Sequence, residues 1–292
     1  MDAAKPPATL RAICTASVVV SLVVHSFVHL ARGPDGTRSW RSFISATPVT
    51  PAWWADAALQ LVAFGLLVTS VLYSWLPSGY TIDMKKTVLV RTVALPWSLY
   101  CASLIAADVA HLALGHGPRA LLATSLAGSV AGFAALYGCL VRLHPLMVRV
   151  RKAEAGLVNA KSSLVRTGPG WLKAYLLFRL PTAMAAALCA ARATSDTVAA
   201  AMMALGASLH QALNPSLGVL VALMVLAIVL LQQLDDVAFA ATVWLWLMGL
   251  VVATHTHLMV KCFCIALVMA LAMRTAFKYV PEDDQELTVK KD

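Results

Sequence analysis

Ionisable side chains are rare inside the long apolar runs of this sequence, and the few that occur there fall at suggestive spacings. Asp108 precedes His111 by about one helical turn, so the carboxylate and the imidazole would lie on one face, able to share a proton or an ion. A hydrated vestibule is the plainer alternative, because Gly115 and the end of the run follow closely. Ser17, Ser21, His25 and His29 recur at every fourth position and form one polar stripe along an apolar cylinder. Such a stripe turns away from lipid, and it reads either as a proton or ion path or as a set of interhelical hydrogen bonds. Asp56 lies beside Trp53 and Trp54, where an interfacial position accounts for it. Arg179 stands just ahead of Pro181, placed to snorkel or to line a cavity. Lys261 is the only lysine in residues 197–273.

Enzyme signatures are missing. The sequence has no H-E-x-x-H, no G-x-S-x-G and no P-loop, and Asp235-Asp236 stands alone without a second aspartate-rich box. A membrane zinc hydrolase built on Ser21, His25 and Asp108 would need further histidines on one helical face, and His255-x-His257 has the wrong spacing for that. The chain therefore reads as a non-enzyme without a metal centre. Its six cysteines, Cys14, Cys101, Cys139, Cys189, Cys262 and Cys264, fall in or beside apolar runs and read as reduced packing residues.

The elements that must position these residues are membrane spans. Of 292 residues 60% are apolar and only 13% charged, far from the balance of a soluble domain. The 23 Lys and Arg form no continuous basic face, which argues against a nucleic-acid partner and leaves the lipid bilayer as the expected one. Spans of about 20 residues are expected over 13–31, 53–76, 92–114, 120–141 and 171–191. Beyond Asp196 the pattern admits two long helices or four short ones, broken at Asn214-Pro215, at residues 232–236 and at residues 254–257. The expected fold is thus an all-α polytopic bundle of seven spans, with eight or nine as alternatives. It forms one domain over residues 1–280, followed by a charged, disordered tail over 281–292. Gly128-x-x-x-Gly132 beside Ser125 and Ser129 marks a close-packing face on the fourth helix, suited to a neighbouring helix or to a second copy of the chain.

Loop charges orient the bundle. With the N-terminus inside, the inner segments hold Lys5, Arg11, Lys85, Lys86, Arg91, Arg142, Arg149, Arg151, Lys152, Lys161, Arg166 and Lys173, against Arg32, Arg38, Arg41, Arg119 and Arg192 outside. The positive-inside rule places the N-terminus in the cytoplasm. Residues 142–170 read as a solvated cytoplasmic loop or as a phospholipid-binding basic helix.

The third helix reads Trp97-Ser98-Leu99-Tyr100-Cys101-Ala102-Ser103, and this W-x-x-Y-x-x-S resembles the third helix of heliorhodopsins, retinal proteins with an N-inside topology. The long outer loop over 32–51, the short connection after the third helix, Gly138, and Trp171 ten residues before Pro181 are similar to that family. His257-Leu258-Met259-Val260-Lys261 looks like the lysine-bearing segment of the last helix in microbial rhodopsins. The likeness covers about residues 10–275 and departs at Pro96 and Leu99, which stand where the family has an Arg and a Glu. A second likeness, to trimeric intracellular cation channels, rests on residues 148–152 and Leu231-Gln232-Gln233, but residues 119–152 are too few for the two spans that family needs there.

The heliorhodopsin resemblance implies a light sensor or light-gated ion conductor carrying retinal. Lys261 would form the Schiff base, since a lysine amine condenses with an aldehyde once burial depresses its basicity. Trp97, Tyr100, Ser103, Pro181, Trp244, Trp246 and His257 would surround it, with Thr254, His257 and Lys261 on one helical face. If residues 254–261 form a polar turn between two short spans, that face does not exist. The alternative function is a chromophore-free ion channel or transporter that uses Ser21, His25, Asp108 and His111.

Overall fold

A computed structural model describes residues 8–30, 47–76, 80–113, 118–159, 170–208, 210–254 and 256–279. The described residues form eight helices and no strand: α1 (Ala8–Leu30), α2 (Trp53–Trp75), α3 (Tyr80–Ala113), α4 (Pro118–Asn159), α5 (Trp171–Leu205), α6 (Leu213–Leu234), α7 (Val237–Val252) and α8 (Leu258–Tyr279). Seven are long and apolar enough to cross a membrane, while α7 has 16 residues and a length of about 24 Å. The protein is a polytopic helical membrane bundle.

The helices alternate in direction, as contacts between their ends show. His25 late in α1 meets Asp108 late in α3, so these two run parallel. Trp75 at the end of α2 donates to Thr15 near the start of α1, and α4 meets α3 at Ser103 through Gly128 and then at the Thr92 carbonyl through Cys139, so α3 and α4 run antiparallel. At the start of α5, Arg179 reaches the Leu234 carbonyl that ends α6 and the Asp236 that opens α7. The Ala52 N–H ahead of α2 donates to the Gly249 carbonyl near the end of α7. We call the end where α1 begins the near end and the opposite one the far end. By this pairing α7, although short, also runs from near to far.

Helix α5 lies at the centre, nearly continuously buried from Pro181 to Ala191. Its alanines let α2, α4, α6 and α7 pack closely around it. One apolar core draws residues from all eight helices. Gly128 and Gly132 of α4 face α3: a Cβ on Gly128 would stand 3.1 Å from the Ser103 carbonyl oxygen, and one on Gly132 would stand 3.0 Å from Ser103 Oγ. The glycine face expected to serve a neighbouring helix or a second copy is occupied within the chain.

Helix limits depart from expectation where polar residues sit inside helices. Helix α4 continues through the basic segment beyond residue 141, past Pro145, to Asn159, so a stretch read as a loop is helical at its start. Helix α5 runs past Ala191 to Leu205 and carries Arg192 and Asp196 within it; Arg192 is not a loop residue. Past that point the chain breaks at Gly206, whose φ of 60° suits a residue without Cβ, and again at Asp235-Asp236. Asp236 caps α7, its Oδ1 accepting from the Phe239 N–H at 3.1 Å. Pro215 falls in the first turn of α6, where its missing N–H costs little. The tail over 281–292 and most of the 32–51 loop lie outside the described residues.

Candidate functional site

Among the described residues two polar clusters interrupt the apolar core, one near each end. At the far end His25 Nδ1 and Asp108 Oδ2 are 3.0 Å apart, joining α1 to α3, with side-chain exposures of 16% and 20%. The His25 ring lies 5.9 Å from that of Phe64 on α2. The Asp108 partner observed is therefore a histidine 83 positions away; the side chain of His111 lies outside the described residues, as does that of His29. Along the α1 stripe Ser21 is buried and Ser17 and His25 are half-buried, with the Ser17 hydroxyl donating to the Ile13 carbonyl.

At the same end stands a group from α2, α4 and α5. Gln60 donates to Asp56 on α2, and Ser125 of α4 donates to Asp196 of α5 at 2.7 Å. Ser195 donates to the Val49 carbonyl at 2.9 Å, tying α5 to the segment ahead of α2. Arg192 balances the carboxylates, interacting electrostatically with Asp56 and Asp196. Charges in an apolar bundle persist only when paired or hydrogen-bonded, and this arrangement meets that condition across α2, α4 and α5.

The near-end cluster is drier. The Arg179 guanidinium lies 3.4 Å from Asp236 Oδ2, with exposures of 5% and 0%. It also donates to the Leu234 carbonyl and lies 3.4 Å from His144 Nδ1 on α4. Arg179 ends a π-helical turn, Tyr175–Arg179, a register shift within α5. Burial pushes the Asp236 carboxyl, in the connector between α6 and α7, above its ordinary value; Arg179 and the Phe239 N–H pull the other way. Both partners were visible in the sequence, Arg179 as a lone charge among apolar residues and Asp236 as half of an aspartate pair. What the sequence lacked was any periodicity linking positions so far apart.

The residues that the rhodopsin resemblance would gather are distributed differently. Trp97 is buried, donates to Thr182 at 2.9 Å and stacks on Phe178 of α5 at 6.3 Å. Tyr100 and Ser103 pack against Gly132, whose Cβ would fall 3.3 Å from Tyr100 Cδ2 and 3.2 Å from Cys189 Sγ. The Ser103 hydroxyl donates to the Tyr100 carbonyl. Pro181 is buried in α5 after the π turn, and on α7 Trp246 is buried and Trp244 half-buried. Lys261 lies in the first turn of α8, half-buried, on a helix packed against α6 and α7. Residues 253, 254, 256 and 257 lie outside both helices while residues 258–261 open α8, so Thr254 shares no helical face with Lys261, and the turn expected over 254–261 ends at His257. His257 instead accepts from the Met259 N–H and lies edge-on to His210 with ring centres 6.0 Å apart. Cys262 is exposed while Cys264 is buried, so not every cysteine packs inside the bundle.

Compared with known protein families, curated proteins and solved structures, the chain has no match.

Proposed function

We propose that this protein is a chromophore-free, proton-linked ion transporter whose proton-carrying element is the His25 and Asp108 pair. The observation that carries the reading is the 3.0 Å contact between an imidazole and a carboxylate on two different apolar helices. Protonated, the imidazole forms a charge-assisted bond that holds α1 to α3; neutral, it forms a weaker one. Proton uptake and release at this pair thus changes the free energy of the α1 to α3 contact, which is what coupling requires. Asp56, Asp196 and Arg192 supply a second charged group at the same end.

The retinal alternative keeps Lys261 as its only amine in residues 197–273, but not the one-faced set of partners that the resemblance implied. Proteoliposomes with an internal pH dye and an imposed ion gradient test the proposal. His25→Ala and Asp108→Asn should each lower proton flux at least tenfold, while His210→Ala, in the far-end connector, keeps it. Wild-type flux in both pair variants refutes the reading. So does a visible absorption band on addition of all-trans-retinal that disappears in Lys261→Ala.

A further inference from the structure

Apart from His144, the basic segment of α4 has no part in either cluster, and its exposed side has the geometry of a lipid-facing stripe. Val141, Arg142, Pro145, Val148, Arg149 and Lys152 are exposed, while Leu140, Leu143 and Met147 between them are buried. The exposed set recurs at i, i+3 or i+4, and i+7, so one side of the helix alternates apolar residues with three cations. We propose that this face is a docking surface for the headgroups of anionic phospholipids in the leaflet at the near end of the bundle.

Depth supports a lipid rather than a soluble partner. From Leu122, where the apolar window of α4 opens, Arg142 lies 20 residues on, about 30 Å along the helix, the thickness of a hydrocarbon core. Arg149 and Lys152 follow about 10 and 15 Å beyond. Side chains on a helix lean toward its N-terminus. On α4 that direction is back toward the bilayer, so the two outer cations reach down to the phosphates that Arg142 meets at the boundary. The extension is also held in place. Arg151, on another side of α4, lies 5.7 Å over the Trp171 ring, and Trp171 stacks on Tyr175, an aromatic pair at the start of α5 suited to the interface. Charge complementarity names the occupant: three cations at fixed spacing along a lipid-facing stripe select anionic over zwitterionic headgroups.

Each cation near an anionic surface contributes about a fivefold gain in affinity, so removing three should lower it by about two orders of magnitude. The test uses the purified full chain in detergent, titrated with phosphatidylglycerol or phosphatidylcholine and read by native mass spectrometry. The wild type should retain phosphatidylglycerol preferentially. The triple variant Arg142→Gln, Arg149→Gln, Lys152→Gln should lose that preference, whereas Arg119→Gln at the far end keeps it. Equal retention of both lipids by the wild type, or an unchanged preference in the triple variant eluting as the parent does, overturns the proposal. If an acidic protein segment is the true occupant, the glutamines leave lipid selectivity intact, which is the same refuting result.

Discussion

Replacing Arg179 by methionine should be among the most destabilising single changes in this chain. The substitution keeps the length and flexibility of the stem but removes the guanidinium, leaving Asp236 at 0% exposure without its cation and the Leu234 carbonyl without its side-chain donor. At 3.4 Å, with the effective dielectric of about 20 that fits buried sites, the lost attraction is about 5 kcal/mol. Breaking a buried pair by removing one partner is typically measured at about 3 to 5 kcal/mol. The remaining bond from the Phe239 N–H to Asp236 does not compensate, because it serves the start of α7 in either case. Asp236→Asn should cost less, since asparagine caps a helix as well as aspartate and the guanidinium keeps the Leu234 carbonyl. The double variant Arg179→Met, Asp236→Asn should be more stable than the sum of the singles predicts, as the buried charge is then gone from both sides. Reversible unfolding from bicelles into sodium dodecyl sulfate, followed by tryptophan fluorescence, measures all three. A loss below about 1 kcal/mol for Arg179→Met, or strict additivity in the double variant, would show that the pair is solvated and that the near end is not sealed by it.

Two further outcomes follow from the packing and from the charge distribution. Gly132→Ala should destabilise by about 1 to 3 kcal/mol, because its Cβ meets Ser103 Oγ at 3.0 Å and Cys189 Sγ at 3.2 Å; Gly65→Ala, with nothing within 4 Å, should be neutral or raise stability by up to about 1 kcal/mol through helix propensity. The same unfolding assay ranks the two, and an equal effect from both would contradict the close approach of α3, α4 and α5. In a cysteine-free background, Ser39→Cys should react with an impermeant maleimide on intact cells, as the charge asymmetry of the loops requires; labelling only after permeabilisation would invert the bundle.

What the sequence determined by itself is the solvent and the class of fold. Apolar runs of span length can be satisfied only by closing backbone hydrogen bonds within each segment, so helices over the first five runs were legible before any coordinates. The breaks near 235–236 and 254–257 were legible too, because paired aspartates and clustered polar residues are local signals; the break at Gly206 was not, since the expected signal, Asn214-Pro215, falls in the first turn of α6. Tertiary structure decided which charges meet. Asp108 meets His25 because parallel α1 and α3 bring together residues 83 positions apart, a contact that no local spacing announces. Arg192 and Asp196 looked like a loop because charge ends an apolar run, but α5 carries them through the bundle by pairing across α2 and α4. The segment after Val141 looked like a loop for the same reason, although nothing in Arg-rich sequence breaks a helix. Periodicity is a property of one helix and states which face is polar. Only the packing of several helices states what that face is opposite.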